Sequence, residues 1–308
     1  MKNKYAIITG ADGGMGTEET RAVAEAGYHV IMACYCPKKA QTVCDQLKAE
    51  TGNPNIEVIG IDLANLASVR AFADEVKARL STTASTTATT ATVSTATVPD
   101  VSSPGSPSPL SLLMNNAGTM ETGRHITVDG LERTVSVNYV GPYLLTRLLL
   151  PLMGEGSRIV NMASCVYCLG HLDFPHFFER GRKGSFWRIP IYSNTKLAIT
   201  LFTIALAERV KDRSITVNAA DPGVVNTEII RMQMFFDPLT DLVFRPFIRT
   251  PRQGADTAIR LLLDEEKAGQ TGHFWRTNRI INLGDKYYHH RQLQQLWDET
   301  ERIVETFL

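Results

Sequence analysis

The sequence predicts an α/β fold: a single domain over residues 1–308, built on a doubly wound parallel sheet of about seven strands flanked by helices. Three observations carry this prediction. Short apolar runs alternate with segments whose apolar residues recur at helical spacing, an alternation that makes a parallel sheet with right-handed crossovers. A glycine-rich turn separates the first apolar run from the first helical segment. With 308 residues, 44% apolar and 21% charged, the chain also has material for one large core.

Residues 5–9 form the first strand, ending in Thr9-Gly10-Ala11-Asp12-Gly13-Gly14-Met15-Gly16, and Thr20–Ala26 reads as helix. In that context glycines let the backbone approach a pyrophosphate at the positive end of a helix, the Rossmann-type arrangement. A tight turn needing positive φ would also explain them. Tyr28–Ala33 is a second strand, followed by a helix from Pro37 to about Thr51, and residues 56–61 are a third strand ending at Asp62-Leu63. The apolar positions Leu66, Val69, Phe72, Ala73, Val76 and Leu80 predict a helix over 66–80.

Residues 81–109 interrupt this order. Ser, Thr, Ala and Val fill the segment to Val98 and Pro and Ser dominate onward, so it lacks the apolar surface to offset its ordering and reads as a flexible insertion. Leu110–Met114 then supplies the fourth strand, followed by Asn115-Asn116-Ala117-Gly118 and a helical pattern from about Val128 to Leu150 with Pro142 as a kink. Residues 158–163 are the fifth strand and 165–188 a loop over the site. A helix over 191–211 and a strand over 215–220 come next, the strand stopping at Asp221-Pro222-Gly223. A helix at 251–264, a strand at 272–275 and a helix from about 285 close the domain.

The chemistry centres on Tyr192-Ser193-Asn194-Thr195-Lys196, read with Ser164. Helical spacing puts Tyr192 and Lys196 one turn apart on one face. An ammonium beside a phenol is expected to lower the tyrosine pKa from about 10 toward neutrality, as a general acid or base requires. The Ser164 hydroxyl would complete a site gripping a carbonyl or alcohol oxygen.

Lys+Arg and Asp+Glu are balanced at 32 each, so no overall field draws the chain to nucleic acid or an anionic membrane. The first strand starts close to Met1 and no apolar run of membrane-spanning length is evident, which sets a cytoplasmic expectation without a transmembrane anchor. The five cysteines, Cys34, Cys36, Cys44, Cys165 and Cys168, are expected to be reduced and structural. Cys165 follows Ser164 directly and is also a candidate pocket thiol. No second cysteine pair or histidine cluster completes a metal site.

Thr9-Gly10-x-x-x-Gly14-x-Gly16, Asn115-Asn116-Ala117-Gly118, Ser164 and Tyr192-x-x-x-Lys196 stand in the order and approximate spacing of the short-chain dehydrogenase/reductase family. Asp62-Leu-Ala-Asn-Leu-Ala-Ser-Val69 and Asn218-Ala-Ala-Asp-Pro-Gly-Val-Val-Asn-Thr227 most resemble its retinol dehydrogenase branch. The resemblance implies hydride transfer between a nicotinamide and a carbonyl carbon, with Tyr192 as proton donor or acceptor and Ser164 holding the substrate oxygen. Lys196 would tune Tyr192 and bind the nicotinamide ribose, and Asn138 would hold a water in a proton relay. Along the cofactor it implies Gly10, Asp12, Gly13, Gly14, Met15, Gly16, Tyr35, Asp62, Leu63, Asn116, Ala117, Gly118, Pro222, Gly223, Val225 and Thr227. Family members commonly pair through helices matching 128–150 and 191–211, so a homodimer or homotetramer is an expectation.

Ala33-Cys34-Tyr35 stands where Ala-Cys-Arg is usual, so the arginine for a 2′-phosphate is missing. No acid stands at Cys34 either, and Lys38 and Lys39 are near enough to substitute, so NADP (NADPH) is favoured over NAD (NADH). Residues 228–250, rich in Met and Phe, fall where the family places its substrate loop and suit a retinoid-, steroid- or lipid-like carbonyl or alcohol. The competing readings are a reductase of small aldehydes, ketones or quinones, and a catalytically idle nucleotide-binding redox sensor.

Overall fold

Strand β1 (Tyr5–Thr9) is buried along its whole length. Its side chains divide by the two-residue period of a strand: Tyr5 and Ile7 enter one apolar layer, Ala6 and Ile8 the other. A strand apolar on both faces needs helices on both sides. In the computed structural model, which describes residues 4–86, 108–174, 176–178, 188–225 and 249–308, both layers are present.

With β2 (His29–Cys34), β3 (Ile56–Gly60), β4 (Leu110–Asn115), β5 (Arg158–Met162), β6 (Thr216–Asp221), β7 (Phe274–Arg276) and β8 (Arg279–Ile281), the strand order is β3-β2-β1-β4-β5-β6-β7-β8. Neighbours are parallel except β7 and β8. The order reverses between β1 and β4, which opens a crevice at the carboxyl ends of those strands. Helices α1 (Gly14–Glu25) and α2 (Pro37–Thr51) cover one face, and α3 (Leu66–Thr86) the other.

Several boundaries differ from the sequence reading, among them the start of α1, at Gly14 rather than Thr20. Helix α3 continues through Thr86, because Ser, Thr and Ala carry no Gly or Pro to stop it, so the first residues assigned to the insertion are helical. Its far end is also anchored, with the Ser108 hydroxyl donating to the Leu152 carbonyl at 2.7 Å; residues 87–107 lie outside the described residues. The pattern over 128–150 starts later, at α4 (Arg133–Val135), capped by Glu132, whose carboxylate accepts from the Val135 N–H at 2.9 Å. It continues as a π-helical turn, Ser136–Val140, and as α5 (Gly141–Leu149). Strand β8 is additional: Thr277 and Asn278 both take positive φ, 51° and 62°, making a two-residue hairpin turn without the Asn-Gly pair that would have signalled it. Helix α7 (Pro251–Leu263) stands where a helix was expected, and the C-terminal helical pattern splits into α8 (Asp285–Tyr288) and α9 (Leu293–Val304).

Helix α6 (Arg188–Arg209) begins three residues before the expected start. It is long and apolar enough to cross a membrane, yet 67% of its most apolar window is buried within the protein. Helix α9 covers the outer face of α5 and α6. The Trp297 ring lies 5.2 Å from Tyr143 and 5.9 Å from Phe202, and Tyr139 and Thr300 share a hydroxyl hydrogen bond of 2.8 Å. Glu301 accepts from Tyr143 at 2.7 Å and pairs with Arg147 at 2.5 Å. Segments expected to meet a second subunit are therefore covered by the chain's own helix.

Glu19 on α1 is fully buried, and neither carboxylate oxygen has a hydrogen-bond partner among the described residues. Burial pushes its pKa well above the ordinary value of 4.5. The folded protein therefore keeps a proton that the unfolded chain releases, and stability falls as pH rises from 4.5 toward the folded value. Glu19→Gln should flatten the decline in unfolding free energy between pH 5 and pH 8; slopes equal to wild type would show Glu19 to be ionised. Trp297→Ala should cost about 3 kcal/mol in urea unfolding through the cavity it leaves. A loss below about 0.5 kcal/mol would mean that α9 does not hold this face.

Candidate active site

The turn after β1 is shaped by contacts that leave no room for a side chain. Gly10 has φ 62°, and a Cβ there would lie 3.1 Å from Ala117 Cα. A Cβ on Gly16 would collide with the Gly10 carbonyl oxygen and stand 2.8 Å from Ala11 Cα. The N-cap of α1 is Gly13, with no side chain to accept from the first turn, whose N–H groups are left to bind an anion. The Asn-Asn-Ala-Gly motif braces this turn: Thr9 Oγ1 accepts from the Asn116 and Ala117 N–H groups at 3.0 Å each. The Asn116 amide donates to the carbonyls of Thr9 and Gly10 at 2.9 and 3.2 Å. Asn115 instead joins strands, donating to Thr146 Oγ1 at 3.0 Å and to Asn161 Oδ1 at 2.8 Å.

A cleft of about 750 Å³ runs from this turn along the carboxyl ends of the strands. Of the expected cofactor residues, Gly10, Asp12, Gly13, Gly14, Met15, Gly16, Tyr35, Asp62, Leu63, Asn116, Ala117 and Gly118 line it. Tyr192, Lys196, Pro222, Gly223 and Val225 are not among its lining residues. Val225 is buried and crowds Gly254, where a Cβ would lie 2.5 Å from one of its methyls. Thr227 and residues 228–248 lie outside the described residues. Its walls also include Val43, Ile61, Thr119, Glu121, Arg133 and Val137, which sequence reasoning missed. Glu121 and Arg133 approach each other at 3.4 Å, and their opposite charge is the signal that they share a wall.

Asp12 and Lys39 are two charged residues that line the cleft. Lys39 lines the cleft below the exposed Tyr35, whereas Lys38 does not. Burial, reinforced by the Asp12 carboxylate, pushes the Cys34 thiol up to about 12.

Lys196 is buried, and its ammonium donates to the Met162 carbonyl at 2.8 Å. It stands 5.4 Å from the Tyr192 ring centre. Asn138 closes the same end: its amide donates to the Thr119 carbonyl at 2.8 Å and to Thr195 Oγ1 at 3.2 Å, while its carbonyl accepts from the Thr119 N–H at 2.7 Å. A Cβ on Gly118 would lie 3.4 Å from Asn138 Oδ1 and 3.9 Å from Lys196 Nζ, so three expected residues converge. The π-turn that carries Asn138 packs closely on the loop after β3, with Ser136 Oγ donating to the Leu63 carbonyl at 3.0 Å.

Ser164 lies two residues beyond β5 and opens a 3₁₀ turn, Cys165–Leu169. Gly170 presses that turn onto α6, since a Cβ there would stand 2.7 Å from the Ser193 carbonyl oxygen. The serine is thereby held beside the helix that bears Tyr192. All five cysteines are free thiols.

The expected lowering of the Tyr192 pKa is not found. Burial pushes it above the ordinary phenol value, and the Asp221 carboxylate and Cys165 add to the rise. Burial pulls Lys196 down to about 8, opposed by Asp221. The physical reason is competition: desolvation acts on both groups, and the ammonium is aimed at a carbonyl.

The short chain dehydrogenase family model matches residues 4–85, 83–176 and 179–234. Retinol dehydrogenase 11 of Mus musculus is 32% identical over 301 residues, covering 97% of this chain and 85% of that protein. An uncharacterized protein from Mycobacterium paratuberculosis superposes with a TM-score of 0.70 at 24% identity, covering 99% of this chain and 94% of its own. A blue fluorescent protein from a metagenomic library, solved in complex with NADPH, gives 0.64 at 22% identity over 89% of this chain and 96% of its own. Glycine cradle, braced asparagines and a Tyr192–Lys196 pair on one helix agree with these likenesses: the chain belongs to the short-chain dehydrogenase family, in its retinol dehydrogenase-like branch, and is an NAD(P)-dependent oxidoreductase.

Proposed function

We propose that the protein interconverts a carbonyl and an alcohol on a hydrophobic substrate, retinoid-, steroid- or lipid-like, with Tyr192 as general acid/base and NADP favoured over NAD. The observation that carries this reading is the convergence of buried Lys196, Asn138 and Gly118 beside Tyr192 at one end of a cleft whose other end is a glycine cradle. The nicotinamide, when bound, supplies or accepts the hydride. The glycine turn and the free N–H groups of α1 would hold its diphosphate, and Lys39 a 2′-phosphate.

Burial holds the Tyr192 phenol in its protonated form at neutral pH, which readies it to donate to a developing alkoxide oxygen. Ser164 is proposed to orient that oxygen by a hydrogen bond. Lys196 then repolarises the phenolate as it forms, the moment when a neighbouring positive charge has most effect. The retinol dehydrogenase relatives and the aromatic and methionine residues of 228–250 support the hydrophobic substrate class.

A cytoplasmic setting belongs to the same reading, supported by the burial of α6. A homodimer or homotetramer belongs to it as well, with α9 packed on the Tyr143 and Phe202 parts of α5 and α6.

A panel of retinoid, steroid and aliphatic carbonyls, assayed with NADPH and with NADH, tests the substrate and cofactor together. Tyr192→Phe should lower kcat/KM on the best substrate by about 10³-fold while the cofactor Kd is kept; turnover that survives the change would remove Tyr192 from the chemistry. Lys39→Ala should raise KM for NADPH about tenfold and leave KM for NADH within a factor of two. An equal effect on both would remove the 2′-phosphate role.

A further inference from the structure

We infer that the Asp221–Arg276 ion pair is a positioning pair for Tyr192 and Lys196, setting the charge balance around these two groups. The inference rests on the reading of Tyr192 as general acid/base and adds two residues outside the expected site. Asp221 ends β6 and is fully buried. Its carboxylate accepts from Arg276 Nε at 2.6 Å and from the Gly223 N–H at 3.0 Å.

The sheet register brings this carboxylate to the catalytic lysine. Met162, whose carbonyl binds the Lys196 ammonium, is paired with Ala220, and the Ala163 N–H donates to the Ala220 carbonyl at 2.8 Å. Asp221 is the next residue along. It therefore lies one strand spacing across, about 4.8 Å, and one residue beyond the carbonyl that Lys196 grips. Arg276 is its register partner on β7 and is held by the hairpin that follows. Thr277 accepts from Arg249 at 3.0 Å, and the Asn278 amide donates to Asp256 at 2.6 Å.

A turn at Gly223 needs only a polar acceptor, which an uncharged amide also supplies. A buried carboxylate paired with a guanidinium that is 40% exposed carries a desolvation cost that the turn does not explain. The charge itself has an effect. Asp221 favours the ammonium form of Lys196 and disfavours the phenolate of Tyr192. Among the described residues, Tyr167 and Cys165, on the turn packed against α6, lie in its field or in that of Arg276, and the Arg249 guanidinium donates to the neighbouring Pro222 carbonyl at 3.3 Å. Arg276 faces Asp221 and tempers both effects.

The test uses full-length Asp221→Asn, Arg276→Gln and Arg276→Lys, with two readouts. The first is the pH dependence of kcat/KM for carbonyl reduction. The second needs no turnover: the ¹³Cε resonance of Lys196 in lysine-labelled protein, assigned with Lys196→Met and titrated through its midpoint. Asp221→Asn should move that midpoint about one unit below wild type and carry the pH profile in the same direction. Arg276→Gln should move both upward, and Arg276→Lys should restore them. A Lys196 midpoint within 0.3 units of wild type in Asp221→Asn overturns the inference; should that variant not fold, the same result in Arg276→Gln does so. A shifted resonance in a protein that reduces no carbonyl would instead refute the function proposed above and leave the charge coupling standing.

Discussion

The constraint on which the rest depends is that the central strands are buried on both faces. Side chains of β1 alternate into two apolar layers, so no polar group can be carried on the faces of the sheet without a partner. Chemistry is left to the strand ends, and the reversal of order between β1 and β4 opens one of those ends into a cleft. Buried Asn115, Asn161 and Thr203 are chained to one another across β4, β5 and α6. They hold the strand ends in register where the functional groups emerge.

Within that frame the catalytic end and the nucleotide end are built differently. The nucleotide end is made by absence: glycines whose hydrogen atoms are the only substituents that fit, braced by the Thr9 hydroxyl and the Asn116 amide. The catalytic end is made by burial, which pulls Lys196 down and pushes Tyr192 up, and by the charges that oppose or reinforce those shifts. Space is decided locally, whereas charge is decided by every element that packs nearby.

That difference explains what was legible in the sequence. Gly10, Gly14, Gly16 and Asn116 could be read because each position has a steric demand met by few residue types. Tyr192 and Lys196 could be read because helical spacing alone puts them together. The direction of the Tyr192 shift could not, since it depends on Asp221 from another strand and on solvent exclusion by the whole domain. Helix α3 ran on because nothing in the Ser/Thr/Ala stretch forbids a helix, and β8 was hidden by a Thr-Asn turn with two left-handed residues. The π-turn leaves no mark in composition, although Gly141 beside it is legible in hindsight.

Gly141 shows how the ends of the cleft are joined. A Cβ there would stand 2.7 Å from the Leu63 carbonyl oxygen and 3.1 Å from that of Ser136, so the loop after β3 and the turn bearing Asn138 touch with no slack. Leu63 lines the cleft, and Asn138 binds the Thr119 backbone beside Gly118. The two ends of the cleft are thus joined by backbone in direct contact, so a larger residue at position 141 would have to displace the loop after β3 or the turn bearing Asn138.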